Sequence, residues 1–187
     1  MLNQELVIGM NATTLLEANY NFLQSYYVVS DGRFISNPSK NSSCFDLLNP
    51  STKRILRSDL SIHDDKFYQD KTFYVRPLER DGFSFDLAIG FYYGCTTTLL
   101  AIQTAVYLGC KDIYLLGLDL NYGLGGERFY KEESPQLEDS RVSVQIKNIF
   151  DAFVLLKDRG VNLWHCNKKS FISPYVPYIN FCEVTKV

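Results

Sequence analysis

At 187 residues the chain is long enough for a single domain with its own hydrophobic core, and a net charge of −2 at pH 7 gives no electrostatic case for nucleic acid or an anionic membrane surface. Five cysteines (Cys44, Cys95, Cys110, Cys166 and Cys182) are an odd number with no C-x-x-C pair, which fits reduced cytosolic thiols better than a disulfide framework or a zinc site. No basic-then-apolar leader opens the sequence and no run of about 18 apolar residues occurs, so a soluble, cytoplasmic domain without a transmembrane segment is expected, with peripheral membrane association left open.

In chain order, residues 6–9 read as a short apolar strand that gives way to a polar turn at 10–14, which puts Asn11 at a strand's carboxyl end. Residues 26–30 repeat the pattern: β-branched and aromatic side chains are followed by Ser30, Asp31 and Gly32 as turn formers. Each of these polar residues could simply bond its own backbone; two polar strand ends together are more suggestive. Residues 36–52 suggest a loop and a short helix stopped by Pro50. Residues 53–57 are a weak strand candidate, and residues 72–76 form a further strand before Pro77. Between them His63, Asp64 and Asp65 imitate metal ligands, but adjacent loop residues seldom converge on one ion without a further partner, and a solvated loop is the simpler reading. The charged and aromatic stretch 79–86 is placed as a wall of a cleft.

Residues 94–119 carry the most information. Thr96, Thr97 and Thr98 supply hydroxyls suited to capping a first helical turn, and residues 99–108 are so apolar on nearly every side that the helix should be buried. Gly109 ends it as a C′ glycine. Residues 113–116 are a short continuous apolar run, the mark of a parallel strand covered on both faces, and Asp119 lies just past its end. Ligands of open α/β sheets bind outside the carboxyl ends of the strands, where helix N-termini attract anions, so these hydroxyls and this acid mark a candidate site. A glycine-rich segment from Leu120 to Tyr130 follows in the position of a lid, without a phosphate-cradling fingerprint, and leads into an acidic loop at 132–139. A helix is expected from Ser140 to about Arg159, with Val142, Ile146, Ile149, Phe150, Phe153 and Leu156 on its apolar face. Gly160 stops it before a strand at 161–165. His165 is a candidate general base near that strand's end, or a half-buried histidine that is merely hydrogen-bonded. The tail, with Pro174 and Pro177, is expected to pack back on the domain. Thirteen tyrosines and thirteen phenylalanines are many for this length. Tyrosine suits pockets where a ring packs while its hydroxyl reaches a ligand.

The run 105–119, preceded by Thr96, Thr97 and Thr98 and earlier by residues 9–13 and 26–31, resembles bacterial sialyltransferases of glycosyltransferase family 42. It also resembles a related family of motility-associated flagellin glycosyltransferases and 6-hydroxymethylpterin diphosphokinase-like proteins. The resemblance spans roughly residues 5–167. It implies one Rossmann-like α/β domain over 1–187, with a mostly parallel sheet flanked by helices and a nucleotide donor at the strands' carboxyl edge. By position, Asn11 and Ser30 or Asp31 would contact the nucleoside, Thr96 and Thr97 the base, ribose or phosphate, and Asn121 and Tyr122 the phosphates.

Two features depart from the family. Its opening glycine-rich turn is absent, so the resemblance implies further residues before Met1 and a missing first, central strand, with the strands at 6–9 and 113–117 flanking a slot. The sialyltransferase histidine is replaced by Val144 and Gln145, which argues against sialyl transfer by that route.

The function expected is therefore a glycosyltransferase-like transferase of cell-surface glycan synthesis, of the lipopolysaccharide type. It would bind a nucleotide-sugar donor and a glycan acceptor and require no cofactor for sugar transfer, with His165, Asp119 or Asp31 deprotonating the acceptor. Two alternatives stand beside it. One is pyrophosphoryl transfer to a pterin, with Mg²⁺ held by carboxylates such as Asp31 and Asp119; the other is a degenerate domain that binds nucleotide without turnover.

Overall fold

A ladder of four parallel strands organises the first part of the chain. The computed structural model describes residues 5–20, 22–37, 40, 46–59, 71–122, 129 and 139–184. The His63, Asp64 and Asp65 cluster, most of the glycine-rich segment, most of the acidic loop and much of the 36–52 stretch lie outside the described residues. Two units are delimited, Met1–Tyr107 and Leu108–Val187, and each is taken by itself.

In the first unit β1 (Ile8–Met10) runs into a 3-10 turn (Asn11–Thr13) and α1 (Thr14–Asn19), followed by β2 (Tyr26–Val29), α2 (Arg33–Ser36), β3 (Lys53–Arg57) and β4 (Thr72–Val75). The sheet order is β1-β2-β3-β4, parallel throughout, with Met10 beside Val28, Val28 beside Ile55 and Ile55 beside Phe73. Parallel pairing needs crossovers; α1 lies in the one from β1 to β2 and α2 in the one from β2 to β3. Next come β5 (Pro77–Leu78) and β6 (Phe91–Tyr92), a second small parallel pair, and then α3 (Thr97–Tyr107). Val28, Ile55 and Val75 on one sheet face pack with Leu87, Phe91, Leu100 and Ala101 into a core. Each large apolar side chain so buried contributes about 1.5–3 kcal/mol.

The first unit is thus α/β, a four-stranded parallel sheet flanked by helices. The polar stretch expected to be only a turn at 10–14 opens a helix instead. α1 is too short for periodicity to reveal, and it is held by tertiary bonds: Gln24 Oε1 accepts from Thr13 Oγ1 at 2.6 Å and Gln24 Nε2 donates to Glu17 Oε2 at 2.8 Å. Gly9 makes room for this, since a Cβ there would fall 1.3 Å from Gln24 Oε1. The weak strand candidate, β3, proves to be an interior strand. Its second residue, Arg54, is buried, with Nη1 lacking a partner and its pKa lowered by burial.

In the second unit β7 (Asp112–Leu115) pairs in parallel with β8 (Asn162–His165), with α4 (Val142–Lys157) between them in sequence and α5 (Phe181–Val184) after them. Gly109 (φ +86°) and Gly160 (φ +69°) adopt the left-handed backbone expected of helix stops. β7 is not covered uniformly. Ile113 and Leu115 are buried, while the half-buried Tyr114 stacks on Trp164 at 5.1 Å. The buried stripe of α4 is Gln145, Asn148, Ile149, Ala152 and Leu156, and Phe150 is exposed. Two polar residues take inward positions because Gln145 Nε2 reaches Asp139 Oδ2 at 2.8 Å and Asn148 Nδ2 reaches Val144 O at 2.9 Å, so an apolar-only pattern misplaces the face. Of the tail, Ile172 and Val176 are buried and Tyr178 bridges to His165. The described cysteines, Cys95, Cys110, Cys166 and Cys182, are free. Among the described residues no helix is long and apolar enough to cross a membrane.

Candidate functional site

Because the four strands run one way, their carboxyl ends deliver Asn11, Ser30, Asp31 and Arg57 to one edge of the first unit. α3 packs on β1 and β2 with its first turn at the same edge. Ser30 Oγ and Thr97 Oγ1 are 2.9 Å apart and both residues are buried, while Thr98 Oγ1 lies 3.7 Å from Met10 Sδ. Thr96 Oγ1 accepts from Thr98 N at 3.2 Å, the cap expected of this threonine run. Of the residues singled out in the sequence, the structure therefore joins Ser30 to Thr97 directly and sets Asn11 next to Met10, the residue Thr98 touches.

Left-handed backbone occurs at Asn11 and again in the turn before α3. Asn11 has φ +53°, Gly94 φ +55° and Cys95 φ +59°, so the turn leading into α3 holds two successive left-handed residues. Such conformations cost about 1–3 kcal/mol at a residue with a side chain and persist where the surroundings impose them. The Asn11 main-chain oxygen accepts from Tyr27 Oη at 2.5 Å, but its side-chain Oδ1 is buried without a partner. A buried orphan acceptor at a strand's carboxyl end is a group a ligand donor can satisfy.

Asp31 is already engaged. Its Oδ1 accepts from Arg33 N at 2.9 Å and its Oδ2 from Arg33 Nη2 at 2.6 Å. Burial alone would raise its pKa, but the Arg33 hydrogen bonds and charge, with Lys40 adding, hold it below the ordinary value. Arg57 is a residue that sequence reasoning missed. It ends β3, donates through Nη1 to Ser30 O at 3.1 Å, pairs with Asp59 at 2.5 Å and lies 5.1 Å from the Tyr93 ring centroid. Its place as the last residue of a strand candidate is the signal the sequence offers.

The second unit holds the other candidates. Asp119 lies beyond β7; its Oδ1 accepts from Asn167 Nδ2, and its main-chain oxygen accepts from Phe171 N at 3.0 Å and Ser170 Oγ at 3.1 Å. Asn121 and Tyr122 follow, both half-buried. His165 is not half-buried but wholly so, and neither ring nitrogen has a hydrogen-bond partner. Burial lowers its pKa. The Asn167 backbone opposes this in part, although it forms no well-aligned bond to the ring.

An open cleft of about 480 Å³ lies elsewhere in the first unit, lined by Glu17, Tyr20, Leu23, Leu47 and Asn49 among others. Those residues precede β2 and β3, so the cleft belongs to the amino ends of the strands. Its size is a weaker guide than the orphan acceptor and helix N-terminus at the opposite edge. Among the described residues no group of three or more His, Cys, Asp or Glu is placed to hold a metal ion.

Thr97→Val tests the joint between β2 and α3. The substitution keeps the shape and strands the buried Ser30 hydroxyl, so a stability loss of about 1–3 kcal/mol is expected in urea denaturation. An unchanged midpoint would show that the two hydroxyls do not hold the edge.

Comparison with protein-family models, curated proteins and solved structures finds no match to this chain.

Proposed function

We propose that the chain is a Rossmann-like, nucleotide-binding domain of glycosyltransferase type that takes a nucleotide-sugar donor at the carboxyl edge of the first unit's sheet, for transfer to a cell-surface glycan acceptor. The observation that carries this reading is the Ser30–Thr97 contact, which ties the end of β2 to the first turn of an eleven-residue helix, beside the orphaned Asn11 Oδ1. A helix N-terminus carries partial positive charge and favours the donor's phosphate. Thr97 would offer its main-chain amide to that phosphate, the Thr96 amide being held by Tyr93 O at 3.2 Å, while Asn11, Ser30 and Asp31 would face the nucleoside. Arg57 lies at the same edge with its charge paired to Asp59. As the glycosidic bond breaks, the leaving phosphate gains charge that these groups offset.

A second reading, a domain that binds nucleotide without turning it over, is favoured by the state of the candidate bases. Asp31 is paired with Arg33, Asp119 is bonded by Asn167, and His165 is closed from solvent. The diphosphokinase alternative fits less well. The Asp31 carboxylate already holds a guanidinium on both oxygens and offers no free pair to Mg²⁺.

Calorimetric titration with nucleoside mono- and diphosphates tests the site. Saturable binding is expected, weakened about five-fold in Asn11→Gly, the worth of a net hydrogen bond of ~1 kcal/mol, because glycine keeps the left-handed backbone and removes only the carboxamide. No saturation with any nucleotide, or equal affinity in Asn11→Gly, overturns the assignment. Donor turnover followed by chromatography separates the transferase from the silent binder, and loss of turnover on chelating magnesium would favour the diphosphokinase.

A further inference from the structure

The outer edge of β8 is paired at His165 by residues 177–179. His165 N donates to Pro177 O at 3.1 Å and Ile179 N donates to His165 O at 3.0 Å, so Tyr178 bridges to His165 in parallel. The Tyr178 ring stands edge-on to the imidazole, with centroids 5.7 Å apart and planes at 62°. Farther along, Phe181 at the start of α5 meets the Tyr114 ring edge-on at 6.0 Å, and Tyr114 is the ring stacked on Trp164. The strap thus bears on His165 directly and on Trp164 through Tyr114.

We propose that residues 177–184 form a latch that is held shut by the uncharged imidazole of His165 and released when that ring is protonated. A neutral ring that is wholly buried without partners forgoes two hydrogen bonds, a loss that ring packing and the two main-chain bonds can offset. An imidazolium in the same place is an unpaired buried ion, which costs far more. Among the described residues no counter-charge is at hand. The strap brings the Tyr178 ring, β7 brings Leu115 in register, and the buried side chains of α4, which packs on β8, are all uncharged. The following loop brings the Cys166 thiol, itself pushed up by burial, and Lys168, whose ammonium lies 5.1 Å from the Tyr178 ring centroid and opposes a second positive charge. The nearest acid in sequence past β7, Asp119, is bonded by Asn167, and among the described residues no charged side chain contributes to the ionisation of His165.

The sign follows from linkage. The shut form holds the His165 pKa below its ordinary value of ~6.5, whereas the open form restores it, so protons favour opening. The shut form is fully favoured above ~6.5 and loses ground as the pH falls toward the depressed value.

Trp164 is the chain's only tryptophan and His63 the only other histidine, so the full chain carrying His63→Gln isolates both reporters. Trp164 emission and hydrogen-exchange protection of the Ile179 amide are followed from about pH 8 to about pH 5. A shift in emission is expected below ~6.5, with protection falling up to about tenfold per pH unit while far-UV circular dichroism stays constant. His165→Phe, which fills the space with an uncharged ring, should keep its protection across the range; should it fail to fold, His165→Gln takes its place. The proposal is overturned if the variant opens at the same midpoint, or if the parent keeps its protection down to the pH at which it unfolds as a whole. In Tyr178→Ala the imidazole must titrate closer to ~6.5 by NMR than in the parent, and an unchanged titration also overturns the latch.

Discussion

Gly90→Ala is expected to destabilise the first unit by about 3–5 kcal/mol, the sum of backbone strain and overpacking. Gly90 has φ +141° and is buried just ahead of β6, where Phe91 N bonds Arg76 O at 2.9 Å. A Cβ added there would sit 2.6 Å from that same carbonyl oxygen and 2.9 Å from Leu78 Cδ2. Backbone cannot swing aside as a side-chain end can, so β6 must lift from the chain between β4 and β5. Phe91 belongs to the core that α3 completes, and β6 leads within five residues to Thr97, so the disturbance reaches the candidate site. Gly109→Ala is the control. Its φ is also positive, at +86°, but nothing lies within 4 Å, so only the conformational cost of about 1–2 kcal/mol applies. Equal losses in the two variants, measured by urea denaturation, would mean that the close approach at Gly90 has no consequence.

The strands at 26–29, 72–75, 112–115 and 162–165 and the helices at 97–107 and 142–157 were legible because periodicity, apolar runs and glycine stops agree with one another there. The failures share one physical cause. α1, the inward face of α4 and the place of β3 all involve polar side chains bonded to partners outside their own element: Gln24 bonds Thr13 and Glu17 across the turn after α1, Gln145 bonds Asp139 just before α4, and Arg57 bonds Ser30 at the end of the neighbouring strand. A polar residue in one sequence reads as exposed until its partner is known. The candidate edge shows the same limit. That Asn11 and Ser30 end strands was readable, as was the capping role of Thr96. That the Thr97 hydroxyl is spent on Ser30, that Asp31 is spent on Arg33, and that His165 is closed from solvent were not.

Gln103 is the strongest case of a buried polar group fixed by distant partners, and Gln103→Met is expected to cost about 3–6 kcal/mol, since three main-chain groups lose their partner at ~1–3 kcal/mol each and partial relaxation recovers some of that. On a helix expected to be apolar on nearly every side, its side chain is fully buried and makes four bonds. Oε1 accepts from Ser84 N at 2.9 Å and Tyr92 N at 3.0 Å, while Nε2 donates to Tyr92 O at 2.9 Å and Leu99 O at 3.0 Å. It extends the β5–β6 ladder with an amide from α3, binding the 84–86 turn, β6 and the helix in one joint. Methionine matches the volume and none of the bonds. Ser84 N, Tyr92 N and Tyr92 O would be stranded, whereas Leu99 O keeps its place in the helix ladder. Gln103→Glu distinguishes lost bonds from lost packing. The introduced carboxylate still accepts from both amides but faces two carbonyl oxygens, so the protonated form is favoured and the folded pKa rises above the ordinary ~4.3. The charged-state penalty is therefore absent below ~4.3 and grows as the pH rises through the folded value, so Gln103→Glu should approach the parent's stability in mild acid and fall away at neutral pH. Gln103→Met should show the same deficit at every pH. Parallel urea midpoints for the two variants across that range would show that packing, not the four bonds, holds α3 against β6.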